Sequence, residues 1–547
     1  MNLDSLITIL GLLVAVYAII PRVRRLEILL KFGLFGWVVT ICSLFSVMYL
    51  QFYQSFSSIG FTPGFHLSRW AITPENASFL IILVMAIILW GYISIRGLSR
   101  SNIVKFREFV FELVREKRYS ELFSFLEKHL EQLSRIYIGR SLSHKLKGYF
   151  EEKYRDSLMY SIECDENGAY KINNVKATSW LEKNRLRFYN EMSSRIHEYQ
   201  APETANEIVS GILLDHNIVR VIAAERPFLA LRILDKPFYQ KDDFFDCYMR
   251  ALVKDTRSVL YHEVRNNQNL QNHCEYDIPK SNRLLHYLFN NCSVAEELGA
   301  YKPVGDYVIK ILDELNDSPH SDQYNKPMGE FAEKGQWESE LLLGINFFDI
   351  MVTSALHQNI KWHMWLYYYS YFVEKIIKNM TSMDSFTDQP IEWPSRYHFA
   401  IYRMISNLCK WIDAVKYLPS DQENIQLDSE RPDNENGNIP KSCMIALGEI
   451  TKNLLVSGKL DERFQQYIMD IIYRTYFELI KSQETSHYAQ AFINSIQSGG
   501  HYMLDTPEFY KDQLFKRFKG FDCIPYIEFS SKLESLLLEG VEGKRER

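Results

Sequence analysis

The densest group of residues that could do chemistry is His262-Glu263 with Arg265, in the segment YHEVRNNQN. A histidine beside a carboxylate is a common pair for moving a proton, and a nearby arginine could hold an anionic substrate. The same residue types also stabilise turns through hydrogen bonds to nearby backbone groups. We expect this structural role, a turn, rather than a catalytic one.

Other patterns that suggest catalytic or metal sites are weaker. Glu151 and Lys153 form the E-x-K triplet of some nucleases, but the triplet lies in a helical pattern without an acidic strand before it. His357 and His363 would lie about 120° apart on one helix, a poor arrangement for sharing a metal ion. Phosphate-binding glycine loops are absent from the sequence, and its 8 cysteines include no CxxC. We therefore expect no enzyme, no catalytic residue, no metal site and no cofactor.

Three apolar stretches near the start of the chain carry the strongest signal, at 6–20, 32–53 and 77–95. At the helical rise, the second and third reach about 33 and 28 Å, close to the ~30 Å hydrocarbon core of a bilayer, whereas the first reaches about 22 Å. None contains Asp, Glu, Lys or Arg, which argues against a proton-coupled transporter. No later stretch is expected to match them. The sequence thus predicts a three-helix transmembrane domain at 1–98.

Basic residues flank these stretches on one side of the predicted bilayer and are nearly missing from the other side. Those on the basic side are Arg22, Arg24, Arg25, Lys31, Arg96 and Arg100. Because loops rich in Lys and Arg stay in the cytoplasm, the N-terminus is predicted outside and everything after residue 96 inside. We expect a multi-pass protein of the bacterial inner (cytoplasmic) membrane, with the bulk of the chain in the cytoplasm.

One face of the second apolar stretch is small or polar along its whole length. Its members fall within an arc of roughly 80° at about 100° per residue. They are Gly33, Gly36, Thr40, Ser43, Gln51 and Gln54. In lipid such a stripe permits close helix packing, which we favour, but it could also line a pore in a ring of copies. The bilayer and further copies of the chain, in a homo-oligomer, are accordingly expected partners.

Charge divides the chain into two parts. The first 100 residues hold 7 of the 62 Lys and Arg and 3 of the 68 Asp and Glu, so the remainder has a net charge of about −10. A domain that binds nucleic acid in bulk should be basic, so no such binding is expected. A local basic stretch nonetheless follows the membrane domain, and it suits anionic headgroups, plain solvation or a partner. The possible partner contacts in it are Arg135, Arg140, Lys145 and Lys147.

Apolar residues at three- and four-residue spacing predict helices through most of the rest of the chain, so the predicted fold is mainly α. The expected parts are a juxtamembrane helical region at 99–200, a helical cytoplasmic domain at 201–418 and a C-terminal helical domain at 441–547. Residues 419–440 are polar and acidic, which is typical of a linker. Asn167-Gly168 between two β-prone runs predicts one small β-hairpin at 158–174.

Two passages resemble known proteins. AIIPRVRRLEILLKFG at 18–33 and YDIPKSNRLLHYLF at 276–289 resemble segments of uncharacterised bacterial membrane proteins from antiphage defence loci. The design as a whole, a small membrane domain before a large cytoplasmic region, resembles the transmembrane effectors of some retron systems. This resemblance supplies no catalytic residue, and it implies a toxin that is restrained by partners and released on infection.

The sequence therefore predicts a bacterial inner-membrane defence effector of the abortive-infection type. Its helical cytoplasmic region would sense or bind a protein or ribonucleoprotein regulator encoded nearby, and its membrane domain would oligomerise and perturb the membrane. The alternative is a non-toxic membrane scaffold or receptor that recruits cytosolic defence or signalling proteins. Exchange of the spans for an unrelated anchor separates the two, because only the scaffold would keep its activity.

Overall fold

The computed structural model confirms a mainly helical fold for the part of the chain that it describes. The described residues are 22–60, 73–95, 97–98, 102–138, 201–268, 275–317, 323–358, 366–381, 393–417, 439–481, 483–500 and 508–519, with short stretches between them. The chain divides into two compact units, one of residues 1–218 with 232–240 and one of 219–231 with 241–547.

The first unit contains a pair of long apolar helices and a group of amphipathic ones. Its helices are α1 (Arg22–Gln51), α2 (Tyr53–Ser58), α3 (Pro74–Ile95), α4 (Ile103–Arg115), α5 (Tyr119–Ile138) and α6 (Ala201–Leu213). They are followed by α7 (His216–Glu225) and α8 (Pro227–Leu234), each of which has residues in both units.

α1 and α3 pack against each other and leave most of their large apolar side chains exposed. Leu34 is 81% exposed and Trp90 is 74% exposed. Both helices are long and apolar enough to cross a membrane, with mean hydropathies of 1.8 over Leu30–Gln51 and 2.5 over Asn76–Ile95. They coincide with the second and third predicted spans, whereas the first, at 6–20, lies largely outside the described residues.

α4, α5 and α6 form a helical layer in which each helix buries its apolar face against the other two. The apolar spacing of the sequence marks these faces, and Phe106 and Leu113 of α4 and Leu126 of α5 are buried as it predicts. Rings of Phe106 and Phe125 stack at 4.8 Å between the first two helices. Burial of each such side chain contributes about 1.5–3 kcal/mol, so packing rather than helix propensity stabilises the layer.

Short strands occur in both units. Tyr160–Cys164 (β1) pairs antiparallel with Tyr170–Asn174 (β2) in the first unit. Their side chains lie outside the described residues, so a packed β-hairpin at 158–174 stays a prediction. In the second unit, Gln271–Asn272 (β3) and Glu275–Tyr276 (β4) form a very short antiparallel pair.

The second unit is a helical bundle. Its helices are α9 (Lys241–Lys254), α10 (Val259–Gln268), α11 (Arg283–Phe289), α12 (Cys292–Glu297), α13 (Tyr301–Asn316), α14 (Glu340–His357), α15 (Tyr367–Asn379), α16 (Arg396–Asp413), α17 (Ile439–Val456), α18 (Glu462–Lys481), α19 (Ser486–Ser498) and α20 (Glu508–Lys519). Short 3₁₀ turns lie at Gln323–Asn325, Gly329–Ala332, Gly335–Trp337 and Ala414–Tyr417.

α14 lies at the centre of the second unit and is buried on all sides. It too has the length and mean hydropathy (1.2) of a membrane-spanning helix, so the expectation that no later stretch would match was wrong. However, 89% of its most apolar segment is buried, with α10, α13 and α16 as neighbours. Polar residues near its middle have partners: Asp349 accepts from Tyr276 Oη at 2.7 Å and pairs with Lys410 Nζ at 3.2 Å. Trp411 Nε1 donates to Thr353 at 3.1 Å.

The compact units divide the chain differently from the predicted domains. α6, expected to open the domain at 201–418, belongs to the first unit because its buried residues Ile208 and Ile212 face α4 and α5. α17, expected in a separate domain at 441–547, packs on α15 and α16 within the second unit. The predicted linker at 419–440 lies outside the described residues, apart from the start of α17.

Candidate functional site at the base of the apolar helices

α1 is broken at Gly33, between a polar N-terminal part and the apolar part. Gly33 has φ 53° and ψ −175°, in the positive-φ region where a Cβ atom would clash with the backbone, so glycine is favoured. The ring of Phe32 lies over Gly36, where an added Cβ would be 2.9 Å from Phe32 Cγ. The break allows residues 22–32 to follow the helical layer while residues 34–51 follow α3.

Glu27 lies between two lysines that come from different helices. Its carboxylate is 2.9 Å from Lys31 Nζ on α1 and 2.7 Å from Lys128 Nζ on α5, and its side chain is only 12% exposed. Burial would raise the pKa of the Glu27 carboxyl, but hydrogen bonds from Lys128 and Lys31 outweigh burial and hold the pKa below its usual range. Glu27 is therefore charged at neutral pH and ties α1 to α5.

His129 and Gln132 of α5 extend this junction to the residues that follow α3. Gln132 Oε1 lies 3.0 Å from His129 Nδ1 and accepts a hydrogen bond from the backbone N–H of Leu98 at 2.6 Å. The imidazole packs edge-on against Phe106 and Phe125, and its burial lowers the pKa of His129. A neutral ring that donates from Nδ1 accounts for the hydrogen bond to Gln132, while Nε2 is buried without a hydrogen-bond partner among the described residues.

Two further contacts bring the elements together. Asn102, just before α4, donates through Nδ2 to the carbonyl of Leu30 in α1. At Gly97 an added Cβ would lie 2.7 Å from Gln132 Nε2, so the close approach favours glycine. We define the coupling site as Glu27, Lys31, Leu98, Lys128, His129 and Gln132. This site joins α5 to the ends of both apolar helices that are predicted to face the cytoplasm. A movement of α5 would therefore be passed to both helices.

The predicted basic residues lie in different settings. Lys31 belongs to the coupling site, Arg24 is exposed and Arg25 is half-buried. Arg135, a predicted partner contact, is exposed near the end of α5. Outside the described residues lie the side chain of Arg22 and all of Arg96, Arg100, Arg140, Lys145 and Lys147. Lys31 thus contacts the coupling site directly, through Glu27.

The small and polar stripe lies on the less exposed side of α1. Gly36 is buried, and Thr40 Oγ1 donates to its carbonyl at 2.8 Å. Ser43 and Gln51 are half-buried, and the side chain of Gln54 lies outside the described residues. The other side of the helix exposes Trp37, Val38, Ile41, Leu44, Phe45 and Met48. This contrast favours helix packing for the stripe, and both its packing role and the pore alternative stay predictions.

Sequence reasoning did not single out Glu27, although a signal was present. Glu27 is the only Asp or Glu between Asp4 and Glu75, and it stands among arginines with Lys31 four residues later. A lone carboxylate at the edge of an apolar stretch requires a positively charged partner. Its second partner, Lys128, lies 101 residues further along the chain, and no local spacing predicts that contact.

The residues considered for catalysis do not form a dyad. Glu263 is buried and its carboxylate accepts backbone N–H bonds from Leu284 at 3.2 Å and Leu285 at 2.9 Å, whereas His262 is exposed. Glu263 therefore caps the start of α11, a structural role as expected, although it does so from helix α10 and not from a turn. Burial raises the pKa of Glu263 to about 7, against the opposing effect of these hydrogen bonds.

Other polar pairs have structural roles in the described part of the chain. Ser395 Oγ lies 2.7 Å from His398 Nδ1, but both residues are buried and Ser395 caps the start of α16. His357 ends α14, whereas His363 and Glu151 lie outside the described residues. Within the described residues, no group of three His, Cys, Asp or Glu could hold a metal ion.

The comparisons with known proteins assign the chain to no family. No family model, no curated protein and no solved structure matches the chain. The resemblance to antiphage membrane effectors therefore stays a prediction. The function proposed below rests on the apolar helices and the coupling site.

Proposed function

We propose that α1 and α3 cross a lipid bilayer and that the chain is a membrane effector controlled by its helical part. The observation that carries this proposal is the exposure of the two helices, since only 11% and 6% of their most apolar segments are buried in protein. Exposed apolar surface costs roughly 25 cal/mol per Å² in water, and a continuous band of it marks a membrane or partner contact. Helices satisfy their own backbone groups, so lipid can cover them.

The coupling site supports an orientation for this membrane domain. Glu27, Lys31 and Lys128 lie at the same ends of α1 and α3, where charged side chains would reach a membrane surface and not its interior. Lys31 and the exposed Arg24 make this end basic, which by the positive-inside rule favours a cytoplasmic orientation for it. α5 would then lie at the inner surface of a bacterial inner membrane.

The effector would act by moving α1 and α3 together. Because both helices are tied to α5, a regulator that shifts α5 would change how the pair packs and allow several copies to assemble. The tie between α1 and α5 is open to water on one side, since the Lys128 side chain is 57% exposed, so it can rearrange without unfolding of the layer. Perturbation of the membrane by assembled copies would stop an infected cell from growing, which is abortive infection. The regulator would be a protein or ribonucleoprotein encoded nearby.

The test is membrane potential, followed with a voltage-sensitive dye in bacteria that express the chain and its neighbouring genes, before and during phage infection. The natural chain should depolarise the membrane before growth arrest. Glu27→Gln should prevent depolarisation, because it removes the charge that ties α1 to α5, while the amount of inserted protein stays the same. Glu127→Gln is the matched control, since Glu127 lies on α5 next to Lys128 but pairs with Arg232.

Three other results would each contradict a part of this proposal. Depolarisation by Glu27→Gln equal to that of the natural chain would contradict the coupling role. Loss in both variants would indicate a general loss of structure in α5. Protection with a fully polarised membrane, kept when α1 and α3 are exchanged for an unrelated anchor, would favour the scaffold or receptor alternative.

A further inference from the structure

An open groove of about 790 Å³ lies in the first unit, between the end of α5, α6 and the residues after α8. Ile138 and Tyr239 line this groove and are 62% and 67% exposed, and Leu214 adds a further exposed aliphatic side chain. Tyr239 meets Tyr137 edge-on, with ring centroids 5.8 Å apart. The groove therefore offers aliphatic and aromatic surface that is open to solvent.

Hydrogen-bond acceptors on α6 also line the groove. Glu203 and Glu207 stand one turn apart, and no Lys or Arg is among the described lining residues. Glu207 is paired with Arg107 at 2.9 Å, whereas Glu203 has no ion-pair partner within the described residues. Asn206, between them, has a buried Oδ1 without a hydrogen-bond partner in the same part of the chain. The exposed carboxylate of Glu203 therefore favours a ligand that carries N–H groups or positive charge.

A strained turn lies beside the exposed tyrosine. Gln240, which also lines the groove, has φ 64°, in the left-handed region that residues other than glycine rarely adopt. Strain of this kind persists only where the surrounding structure holds it, and it clusters at binding sites. Here it fixes the direction of the chain next to Tyr239.

We propose that this groove binds a basic peptide segment of a partner protein, in which Lys or Arg alternates with aliphatic residues. The aliphatic side chains would pack on Ile138 and Leu214. The cationic groups would pair with Glu203 and lie against the ring of Tyr239. The carboxylates would repel a nucleic-acid backbone, so a peptide suits the groove better than RNA or DNA.

The groove and the coupling site share α5. Ile138 follows Gln132 by six residues, a distance of about 9 Å along the helix. A partner in the groove would therefore hold the same helix that joins α1 and α3. This consequence rests on the proposed membrane function, whereas the binding itself does not.

Binding is tested with the full chain in phosphatidylcholine nanodiscs, or in plain buffer if the chain does not insert, and a fluorescein-labelled peptide of repeated Lys-Leu, followed by anisotropy. Glu203→Lys and Tyr239→Ala should each weaken binding about tenfold, because they reverse the charge and remove the aromatic contact. Glu225→Lys is the control, since Glu225 is an exposed glutamate of α7 that does not line the groove, and it should leave binding unchanged.

Several outcomes would overturn the proposal. Equal losses in Glu203→Lys and Glu225→Lys would show attraction to bulk charge, and binding no stronger than that of a repeated Glu-Leu peptide or of empty nanodiscs would show no site. Self-association of the chain that disappears in Glu203→Lys would assign the groove to a second copy. Circular dichroism checks each variant for its helices, and Tyr239→Ala keeps the test valid if Glu203→Lys fails to fold.

Discussion

α3 and α14 are both long and apolar enough to cross a membrane, yet they lie in opposite surroundings. Only 6% of the most apolar segment of α3 is buried, against 89% for α14. Residues 79–89 of α3 (FLIILVMAIIL) include no polar side chain. α14 contains Asn346, Asp349 and Thr353, which have hydrogen-bond partners on neighbouring elements of the second unit. The two helices are similar in length. However, the polar side chains of α14 need partners within the protein, whereas residues 79–89 of α3 include no polar side chain that would need one.

A polar side chain away from water needs a partner, and the interior of a bilayer offers none. Polar residues within an apolar helix therefore indicate that protein covers it, and a long run without them indicates that lipid can. Mean hydropathy indicates whether a helix avoids water, and its polar residues indicate whether protein or lipid surrounds it instead.

Removal of Asp349 should have the largest effect, because Lys410 and Tyr276 lose their acceptor in the interior of the second unit. Breaking a buried ion pair from one side costs about 3–5 kcal/mol, and since Lys410 is partly exposed we expect about 3–4 kcal/mol for Asp349→Ala. Asp313→Ala, which breaks an exposed pair with Lys375, should cost less than about 1 kcal/mol. Urea unfolding of the full chain measures both, and equal losses would contradict a special role for Asp349.

A new carboxylate at an exposed position of α3 should have an effect that one at an exposed position of α17 does not. Val84 of α3 and Val456 of α17 are 45% and 41% exposed, so neither has to be removed from a protein interior. Val84→Asp should oppose membrane insertion by about 3 kcal/mol, whereas Val456→Asp should leave the chain unaffected. The fraction of chain that resists alkaline extraction from membranes measures insertion. Equal behaviour of the two variants would mean that water, not lipid, surrounds α3.

Packing on the small and polar face of α1 can be separated from membrane insertion with two glycines. Gly36→Leu would displace the ring of Phe32, and overpacking of this kind costs about 1–3 kcal/mol. Gly91→Leu on α3 is the control, because an added Cβ there meets nothing within 4 Å. Gly36→Leu should abolish depolarisation in bacteria without reducing insertion, and Gly91→Leu should do neither. If Gly36→Leu inserts and still depolarises the membrane, the stripe is not needed for perturbation of the membrane.

Acid should affect α5 and the region around Asp413 in opposite directions, by about 1 kcal/mol. Burial raises the pKa of Asp413 in α16 to about 7, above its value of about 3.9 in an unfolded chain, so its contribution to stability is lost as pH rises through 7 and returns on acidification. The pKa values of His129 and Glu27 are lowered by folding. Their contributions are lost as pH falls, below about 6.5 for His129 and below about 4.3 for Glu27.

Amide hydrogen exchange in α5 and α16, corrected for the intrinsic exchange rate at each pH, measures this difference in stability. Between about pH 7.5 and pH 5.5, protection should fall in α5 and rise around Asp413 at the end of α16. At the start of α16 the buried His398, whose pKa burial lowers to about 4, opposes this rise. Asp413→Asn should remove the rise in α16 and leave α5 unchanged. A fall of the same size in both helices would indicate general acid destabilisation instead.

Much of the fold could be predicted because helices carry their burial pattern in local spacing, as Phe106 and Leu113 of α4 show. The coupling site could not be predicted, because the contact of Glu27 with Lys128 joins distant parts of the chain, and the backbone break at Gly33 depends on that tertiary setting. Glu263 shows the intermediate case. Its residue type indicated a cap or turn, but the helix that it caps begins 20 residues later, at Arg283.

The burial of α14 has a consequence for the synthesis of the chain. A translocon that tests hydropathy as the chain emerges meets α1 and α3 first, and then meets α14 before α16 has been made. At that moment Lys410 and Trp411, which later contact α14, are still inside the ribosome or unmade. A carboxylate near the middle of a helix disfavours insertion by about 2.5–3.5 kcal/mol, so Asp349 would keep the growing chain out of the bilayer until its partners arrive.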